Sequence, residues 1–537
     1  MLLSNMELIA TAPGGVAKLR ELILALAVQG KLVPQDPADE PSGVLLQKIR
    51  AEKDRLMAEG KIKRDKPLAE IREEDKPFEL PQGWEWVRLG SLLSFRIGKT
   101  PPSKDPQYWA DAGHAWVSIS DMNHFGEVRE TGRKITDKGA SVFGYEPLPP
   151  GTLIMSFKLT IGKISLLRVP AYHNEAIVSF TPLNGLDSAF LKYMLPTVAK
   201  TGASKDALMG ATLNTESLSN LVIALPPQSE QSRIVTRVEA LMRLCDALEA
   251  KGQLEAAQHA QLVSTLLGTL TASTTPDELA ANWQRVAQHF DLLLDRPEAI
   301  DALEQTLLQL AVRGFLATQL PADGPVNIGA RSRSPFQIPL SWSYVRFDDV
   351  LTDLRYGTSV KCGYDITGTP VIRIPNIRLG RIDTGDLKFG VLDDREQEKL
   401  RLECGDLLIV RSNGSASLVG SAALVDVDSE GFAFAGYLVR VRLNRHYIEP
   451  EYMTLVMQTL DIRRQIEEPI RTTSGVKNIN STEISGLSFA LPPLAEQSRI
   501  VTRVTALRRL CADLRLRLAD RQSVQARLAE ALVQEVA

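Results

Sequence analysis

The stretch LPPQSEQSRIVTRVEALMRLCDAL at Leu225–Leu248 returns almost unchanged as LPPLAEQSRIVTRVTALRRLCADL at Leu491–Leu514. The two copies begin at positions 225 and 491 of a chain of 537 residues. Solenoid repeats recur every ~20–50 residues, so a period of about half the chain indicates duplication of a domain-sized unit. The chain is therefore expected to contain two related halves, and the question is what requires both on one polypeptide.

Further matches extend the duplication upstream. LRELILALAVQGKLVPQDPADEP begins at Leu19 and resembles LEQTLLQLAVRGFLATQLPADGP, which begins at Leu303. FELPQGWEWVRLG begins at Phe78 and resembles FQIPLSWSYVRFD at Phe336. The offset falls from 284 to 258 between these matches, so the first copy holds an insertion between Pro41 and Phe78. Its charged residues and its apolar residues near helical spacing predict an additional helix with a basic end.

Each repeated stretch predicts a long helix that starts at the Pro-Pro pair, because proline suits the first helical turn. Apolar residues follow at alternating steps of four and three, which is the spacing of the a and d positions of a coiled coil. Such a helix could pack only on its own domain, or two matched helices of ~60 Å could pack on each other. We favour the intrachain coiled coil. Its predicted seam consists of Ile234, Val238, Leu241, Cys245 and Leu248 in the first copy and Ile500, Val504, Leu507, Cys511 and Leu514 in the second.

Between these helices the sequence predicts strands. Short alternating apolar runs such as HAWVSIS, GTLIMSF, TPVIRIP and GDLLIVRS are typical of strands, and Gly, Pro, Asn and Asp separate them into loops. The fold class is therefore mixed α/β (α+β), with a pseudo-two-fold internal duplication. The expected domains are 1–79 (helical arm with the charged insertion), 80–226 (first variable domain), 227–275 (first long helix), 276–334 (second arm and linker), 335–492 (second variable domain) and 493–537 (second long helix).

Bulk properties predict a soluble cytoplasmic protein. Hydrophobic residues make up 44% of the chain, and no apolar run is long enough to span a membrane. The N-terminus lacks the layout of a signal peptide. The net charge of −3 weighs against a nucleic-acid binder, which usually shows a basic surface. Cys245 and Cys511 occupy equivalent positions on the seams and are predicted to be buried core thiols.

The motifs that would indicate a self-contained enzyme are missing from the sequence. The GKT at 98–100 has Leu93 at the fifth position upstream, so it lacks the first glycine of a phosphate-binding loop. The sequence contains no G-x-S-x-G, H-E-x-x-H or paired C-x-x-C motif. The DLK at 386–388 is too common a pattern to indicate a nuclease. These features favour a binding protein with no catalytic residue and no metal ligand.

Polar side chains beside the predicted strands are suited to reading DNA bases. Arg pairs with guanine O6 and N7, and Asn or Gln pairs with adenine N6 and N7. For a single residue, a solvated charge or a turn former is the simpler interpretation, but clusters at matching places in two copies carry more weight. The candidate DNA-binding residues are Lys99, Thr100, Ser103, Lys104, Ser118, Ser120, Asp121, Asn123, Lys158 and Thr160 in the first variable domain and Tyr356, Thr358, Ser359, Lys361, Arg373, Asn376, Arg378, Arg411, Ser412 and Asn413 in the second.

Over essentially its whole length, the chain resembles the specificity subunits of type I restriction–modification enzymes. The resemblance is carried by LALAVQGKLVPQDPADEP, FELPQGWEWVRLG and the doubled LPP-x-x-EQSRIV helix start. It also includes two recognition-domain cores. The first contains GKTPPSKDPQYW and LPPGTLIMSFKLTIGKISLL, and the second contains YGTSVKC, PVIRIPNIRLGRID and GDLLIVRSNGSASLVG.

The resemblance implies that each variable domain is a target recognition domain for one half of a split DNA sequence. The long helices would form an antiparallel coiled coil that sets the gap, with half-site centres ~10 bp apart. The implied partners are double-stranded DNA, two modification (methyltransferase) subunits and restriction (translocase and nuclease) subunits, with no membrane. The methyltransferase would bind S-adenosylmethionine and methylate adenine, and the restriction subunit would bind ATP and Mg, leaving no cofactor on this chain.

Two other functions remain as alternatives at this point. One is a coiled-coil scaffold that binds proteins through its variable domains without DNA. The other, a self-contained methyltransferase or nuclease, is disfavoured by the missing motifs.

Overall fold

The computed structural model describes residues 6, 8–59, 67–158, 160–183, 185–208, 215–328, 333–378, 380–468, 471–473 and 476–536. The chain divides into two compact units. Unit 1 comprises Met1–Gln253 with Gln522–Ala537, and unit 2 comprises Leu254–Arg521. Each of the two long helices therefore contributes residues to both units.

The helices follow the predicted order of arm, variable domain and long helix in each half. Unit 1 contains α1 (Gly15–Val28), α2 (Ser42–Ala58), α3 (Leu89–Leu92), α4 (Asp137–Ser141), α5 (Ser188–Leu208), α6 (Thr215–Ser219) and the first part of α7 (Gln228–Ala272). Unit 2 contains the rest of α7, then α8 (Pro276–Gln288), α9 (Phe290–Leu293), α10 (Pro297–Val312), α11 (Asp394–Leu400), α12 (Pro450–Met457), α13 (Leu460–Glu467), α14 (Ser481–Ser485) and the first part of α15 (Leu494–Val536).

The insertion in the first copy forms helix α2, as predicted. Leu45, Leu46 and Ile49 are buried and belong to the core of unit 1. Lys53 Nζ donates to the Gly90 carbonyl at 2.6 Å, which fastens the helix to the variable domain. The predicted basic end at 60–66 lies outside the described residues.

Unit 1 builds its variable domain on three sheets. Its strands are β1 (Glu85–Arg88), β2 (Leu93–Ile97), β3 (Trp109–Ala110), β4 (His114–Val117), β5 (Gly126–Val128), β6 (Arg133–Ile135), β7 (Leu153–Ser156), β8 (Ile164–Leu167), β9 (Ala171–His173), β10 (Ile177–Pro182) and β11 (Val222–Leu225). The sheet orders are β1-β11, β2-β10-β7-β8-β5 and β3-β6-β4-β9. The predicted strands in HAWVSIS and GTLIMSF are confirmed as β4 and β7.

Unit 2 builds its variable domain on four sheets. Its strands are β12 (Ser343–Arg346), β13 (Leu351–Tyr356), β14 (Thr369–Ile372), β15 (Ile377–Arg378), β16 (Gly380–Ile382), β17 (Lys388–Gly390), β18 (Leu407–Val410), β19 (Ser412–Asn413), β20 (Ala422–Leu424), β21 (Ala433–Phe434), β22 (Leu438–Leu443), β23 (Arg471–Thr473), β24 (Val476–Asn478) and β25 (Ser488–Leu491). The sheet orders are β12-β25, β13-β22-β18-β20-β16-β15, β17-β14-β21 and β19-β24-β23.

The two variable domains share one topology despite their divergent sequences. The order β2-β10-β7-β8-β5 in unit 1 matches β13-β22-β18-β20-β16 in unit 2, and β6-β4-β9 matches β17-β14-β21. The pairing directions also agree, since β5 with β8 and β16 with β20 are parallel, as are β4 with β9 and β14 with β21. The mixed α/β fold class and the internal duplication are confirmed.

A buried carboxylate at the start of α7 joins three parts of unit 1. Glu230 lies in the first helical turn, and its Oε2 accepts a hydrogen bond from Trp84 Nε1 at 2.9 Å. Its Oε1 accepts from Gln35 Nε2 at 3.2 Å, and Gln35 also donates to the Gly30 carbonyl at 2.7 Å. Burial raises the pKa of the Glu230 carboxyl, whereas the helix N-terminus favours the ionised form. The arm, the variable domain and the long helix thus meet at one side chain.

Unit 2 repeats this network residue for residue. Glu496 is fully buried and its Oε2 accepts from Trp342 Nε1 at 2.9 Å. Its Oε1 accepts from Gln319 Nε2 at 3.0 Å, and Gln319 donates to the Gly314 carbonyl at 2.8 Å. The Glu of the repeated EQSRIV motif is therefore the anchor of each half.

The Gln of the same motif secures the chain that enters each long helix. Gln497 Nε2 donates to the Pro492 carbonyl at 2.8 Å, and its Oε1 accepts from the backbone of Glu449 at 2.7 Å. In unit 1, Gln231 makes the equivalent bond to the Pro226 carbonyl at 3.3 Å. A side-chain amide with both ends engaged fixes the direction in which the helix leaves the domain.

Seven of the ten predicted seam residues are buried, and Leu248, Leu507 and Leu514 are partly buried. The first two residues of each seam pack on their own unit. Ile234 and Val238 share a cluster with Leu19 and Ile23 of the arm helix α1. Ile500 and Val504 share a cluster with the second variable domain. For these first turns, packing of the helix on its own domain is therefore the observed arrangement.

Further along, the beginning of one long helix and the end of the other share a core within each unit. Cys245 belongs to the same cluster as Ala529 in unit 1, and Cys511 belongs to the same cluster as Val263 and Leu267 in unit 2. This pairing has the polarity expected of two antiparallel helices. Burial raises the pKa of the Cys245 and Cys511 thiols, as expected of core thiols.

Ion pairs join each arm helix to a long helix. In unit 1, Arg20 of α1 pairs with Asp246 and Glu249 of α7, both at 2.7 Å. In unit 2, Arg515 of α15 pairs with Glu304 of α10 at 2.8 Å. The basic residue lies on the arm helix in the first unit and on the long helix in the second.

Replacing the anchor carboxylate should destabilise the fold. The Glu496→Ala variant leaves the buried Trp342 N–H and the Gln319 amide without their acceptor, so we expect a loss of about 1–3 kcal/mol in the free energy of unfolding. Urea unfolding followed by circular dichroism measures the loss. The control is Glu398→Ala, at an exposed residue of α11. A Glu496→Ala chain as stable as the control would show that the network does not anchor the fold.

Candidate nucleic-acid interface

The first candidate loop, 98–104, follows β2 and lies directly on the backbone after β9. A Cβ at Gly98 would lie 1.9 Å from the His173 carbonyl oxygen, so only glycine fits there. Lys99 N donates to that carbonyl at 3.0 Å, and Lys99 Nζ donates to the Val142 carbonyl at 2.9 Å. Thr100 Oγ1 bonds to the Glu175 carboxylate. The side chains of Lys99 and Thr100 are exposed but engaged.

The outer part of this loop is more open. Ser103 and Lys104 are exposed and donate no side-chain hydrogen bond to the described part of the chain. Two tryptophans hold the loop from beneath, because Trp109 Nε1 donates to the Pro102 carbonyl at 2.9 Å and Trp116 Nε1 donates to the Lys99 carbonyl at 3.0 Å. The backbone of the loop is therefore held in place, while the side chains of Ser103 and Lys104 are exposed and could contact a ligand.

The second candidate loop, 118–123, begins with a capped turn after β4. Asp121 Oδ2 accepts from the Ser118 backbone at 2.8 Å and from Ser118 Oγ at 2.6 Å, and its Oδ1 accepts from Gly132 N at 2.9 Å. Asp121 therefore caps this turn, and its role as a DNA contact stays a prediction. Ser120 and Asn123 are exposed, and Ser120 Oγ lies 2.7 Å from Ser118 Oγ.

The third candidate loop follows β7. Lys158 and Thr160 are both exposed, and Thr160 N donates to the Lys158 carbonyl at 2.8 Å, which closes a tight turn. Lys163 Nζ donates to the Ile119 carbonyl at 3.0 Å and so links this hairpin to the second loop. The structure thus connects the second and third candidate loops of the first variable domain.

In unit 2, the loop after β13 repeats the contact made by the first loop. A Cβ at Gly357 would lie 2.3 Å from the Phe434 carbonyl oxygen, and Thr358 N donates to that carbonyl at 2.9 Å. Thr358 is buried, and its Oγ1 accepts from Val360 N at 3.1 Å. Its role as a DNA contact stays a prediction, and the neighbouring Ser359 and Lys361 are exposed.

The segment after β14 also contains a structural residue. Asn376 is buried, and its Nδ2 donates to the carbonyls of Asp383 and Asp386 at 2.9 and 2.8 Å. Both amide hydrogens are used inside the chain, and the role of Asn376 as a DNA contact stays a prediction. Arg373 Nη2 donates to the Asp386 carbonyl at 3.2 Å. Arg378 is largely exposed, and its Nε lies 3.3 Å from Asp383 Oδ2.

The last candidates lie after β18. The Arg411 guanidinium lies over the Tyr356 ring, 4.7 Å from its centroid, and Tyr356 OH accepts from Ser481 N at 2.9 Å. Ser412 and Asn413 form β19, and Asn413 Oδ1 accepts from Ser415 N at 2.8 Å. The structure thus brings Tyr356 and Arg411 together, although they lie far apart in the sequence.

Sequence reasoning missed polar and basic residues that adjoin the candidates. Lys477 and Asn478 of β24 pair with Asn413 and Ser412 in the β-ladder. Arg133 lies beside Trp116 in the ladder between β4 and β6. All three residues lie in strands of three residues, β24 and β6, which are too short to show an apolar pattern.

One histidine beneath the first loop is held neutral. His173 is almost fully buried, and burial lowers its pKa to about 4. Arg96 contributes in the same direction through its positive charge. The equivalent position in unit 2 is Phe434, which accepts the same loop contact through its carbonyl. The histidine is therefore uncharged at neutral pH.

The comparisons with known proteins agree with this architecture. Residues 81–258 match the family model described as the type I restriction modification DNA specificity domain. The chain is 31% identical over 584 residues to the type I restriction enzyme EcoEI specificity subunit of Escherichia coli, covering 96% of this chain and 93% of that protein. It is also 31% identical over 572 residues to the EcoAI specificity subunit of Escherichia coli, with coverage of 96% and 93%.

A solved structure extends the likeness to the fold. A chain described under "complex assembly and conformational transition of the type I R-M system" superposes with a TM-score of 0.50 at 17% identity, covering 86% of this chain and 99% of that one. The chain belongs to the family of type I restriction enzyme specificity subunits. Its function is DNA sequence specificity, and the non-DNA scaffold is not supported. In the part of the chain that the structure describes, no helix is long and apolar enough to cross a membrane.

Replacing His173 by Phe, the residue found at the equivalent position in unit 2, should reduce the acid sensitivity of the fold. The pKa of about 4 in the folded chain lies below the ordinary value of 6.5, so the unfolded chain takes up the proton first as the pH falls. The stability of the original chain is then complete above about pH 6.5 and declines as the pH falls towards 4. At pH 5 this histidine should destabilise the fold by about 2 kcal/mol, and the His173→Phe variant should lack this loss.

Urea midpoints at pH 7.5 and pH 5.0 measure this difference. The exposed His446 provides the control, because the His446→Phe variant should retain the original pH dependence. Equal pH dependence in the original chain and the His173→Phe variant would contradict a neutral buried His173.

Proposed function

We propose that the chain reads a bipartite, asymmetric DNA target, with one half-site for each variable domain. The observation that supports this most directly is a shared sheet topology in two domains whose surface loops differ. The loop 98–104 and the loop 357–361 make the same backbone contact beneath but carry different side chains. Loops positioned by a rigid scaffold are suited to recognition, so two such scaffolds should read two different sequences.

Within a restriction–modification complex, the chain would itself be non-catalytic and would position the other subunits. Two methyltransferase subunits would bind S-adenosylmethionine and methylate adenine in each half-site, and the target base would leave the base stack for the reaction. Restriction subunits would bind ATP and Mg. The complex would act on double-stranded DNA in the cytoplasm. The names of the relatives, which are specificity subunits of type I restriction enzymes, support this proposal.

The long helices would form the spacer between half-sites. Each is more than 40 residues long, Gln228–Ala272 and Leu494–Val536, or ~60 Å at 1.5 Å per residue. Their middle segments carry exposed apolar residues such as Leu254 and Val524. The length of the helices would then set the number of base pairs between the half-sites, with half-site centres ~10 bp apart.

The net charge of −3 constrains how the complex holds DNA. Phosphate contacts supply most non-specific affinity and need positive charge. A chain with this charge would supply base contacts from its loops, and the methyltransferase partners would supply much of the positive field. The salt dependence of DNA binding should therefore arise mainly from phosphate contacts made by the partner subunits of the complex.

Methylation mapping tests the proposed function. Cells that express this chain with its methyltransferase partner should carry methylated adenine in a split motif on both strands, and cells that lack this chain should not. Single-molecule sequencing reads the motif directly. An unchanged methylome, with the partner shown to be active, would contradict the proposal.

Lengthening the spacer should change the gap and leave the half-sites intact. Four helix-forming residues inserted after Lys251 in α7, near Leu248, and four after Arg521 in α15 add ~6 Å of helix, or about two base pairs at ~3.4 Å each. We expect the methylated motif to keep both half-sites and to gain one or two base pairs between them. The control replaces four residues at each position without insertion. Altered half-site sequences would contradict the separation of reading and spacing.

A further inference from the structure

An exposed arginine in the first variable domain lies over the ring of a tryptophan. The Cζ atom of Arg133, the first residue of β6, is 3.4 Å from the centroid of the Trp109 ring and 5.6 Å from that of Trp116. The two tryptophans meet edge to face, with centroids 5.0 Å apart. Within the described residues, the Arg133 guanidinium has no ion pair and donates no hydrogen bond. Its position is set by stacking, and its N–H donors face no partner in that part of the chain.

The same site joins two of the candidate loops. Trp109 bonds to the Pro102 carbonyl and Trp116 bonds to the Lys99 carbonyl, both in the first loop. Asp121 of the second loop accepts from the backbone of Gly132, the residue before Arg133. The arginine therefore lies where the two loops are fastened to the sheet.

The second variable domain repeats this pair at a constant offset in residue number, 388 − 133 and 364 − 109 both being 255. Arg133 corresponds to Lys388, because β4 pairs with β6 as β14 pairs with β17. Trp109 and Tyr364 are matched by the same offset in the sequence. Lys388 Nζ lies 4.9 Å from the centroid of the Tyr364 ring. The capped turn also recurs at this offset, since Ser118–Asp121 corresponds to Arg373–Asn376. A cation on an aromatic ring is thus a shared feature of two domains whose sequences diverge.

We propose that Arg133 and Lys388 occupy the specificity-determining position of their domains, and that Arg133 reads a guanine in the first half-site. This inference rests on the proposed function. A guanidinium is planar and presents paired N–H donors in that plane, which is the geometry that guanine O6 and N7 accept. The stack orders the side chain before DNA arrives, so less side-chain entropy is lost on binding. Lys388 is a point donor and would read its base with less geometric discrimination.

A purely structural stack is the competing interpretation. An arginine with a purely structural role could stack on the ring and also pair its N–H donors with groups of the chain. Among the residues that the structure describes, the donors of Arg133 are not paired in this way. The ion-paired Arg129 of the same domain provides the contrast, because its Nη2 lies 2.7 Å from Glu127. Arg129 and Arg133 are both exposed cations, so they form a matched pair of target and control.

The test uses the complete complex of this chain with its methyltransferase subunit. The original complex first defines the motif, and the absence of a split motif at that stage would overturn the proposed function itself. Duplexes carrying each of the four bases at every position of the first half-site are then methylated by the original, Arg133→Gln and Arg129→Gln complexes. The second half-site is kept constant.

We expect Arg133→Gln to reduce the preference for guanine at one position of the first half-site, on the order of 10- to 100-fold, with the other positions unchanged. Arg133→Lys should lose part of that preference, and Arg129→Gln should keep it. Lys388→Gln should relax one position of the second half-site only. If Arg133→Gln proves too unstable to assay, Arg133→Lys decides the question through the same base preference.

Two results would overturn the inference. One is unchanged base preference in the Arg133 variants. The other is a uniform loss of methylation on all duplexes with a smaller salt dependence, which would identify Arg133 as a phosphate contact. Unfolding midpoints of the same variants separate both from a loss of fold.

Discussion

In each half of the chain, one buried carboxylate fixes the arm, the variable domain and the long helix relative to one another. Glu230 and Glu496 accept hydrogen bonds from a tryptophan near the start of the variable domain and from a glutamine that follows the arm helix. A charge in a dry interior persists only when its acceptor sites are satisfied, so arm, domain and long helix must come together correctly or not at all. The same side chain stands in the first turn of the long helix, where the helix dipole favours it. The repeated EQSRIV motif thus specifies an assembly point, and the variable domain is free to diverge beyond it.

The divergence of the variable domains does not extend to the backbone contacts beneath their loops. The loops that differ most in sequence rest on backbone contacts that do not differ. Gly98 and Gly357 each approach a carbonyl too closely for any Cβ, on His173 in one domain and Phe434 in the other. Because the contact is made by the main chain, the side chains around it can be exchanged without moving the loop. A family that must acquire new sequence specificities benefits from such a division, since the residues that hold a loop are distinct from those that face outwards.

The sequence predicted the duplication, the fold class, helix α2 and the strands at His114–Val117 and Leu407–Val410, because each depends on local periodicity or on self-similarity. It predicted which loops adjoin the sheets, but not which of their residues face outwards. Asp121, Thr358 and Asn376, predicted as DNA contacts, make local hydrogen bonds within the chain. The sequence does not reveal these bonds, since Asp, Thr and Asn suit both purposes. Arg133 was missed because its ring partner is distant in the sequence. A comparison of the two copies at the offset of 255 would have aligned it with Lys388 and indicated the position.

The ion pairs between the arm helices and the long helices affect which arm helix packs on which long helix. Arg20 and Glu304 are equivalent residues of the two arm helices, and Glu249 and Arg515 are equivalent residues of the two long helices, yet the charges are reversed between the units. Each arm helix therefore meets an opposite charge on its own partner and would meet a like charge on the other. The two arm helices have similar apolar faces, so either could pack on either long helix. The like charges disfavour the wrong pairing while the chain folds. Two copies of one module can then share a polypeptide without exchanging arms.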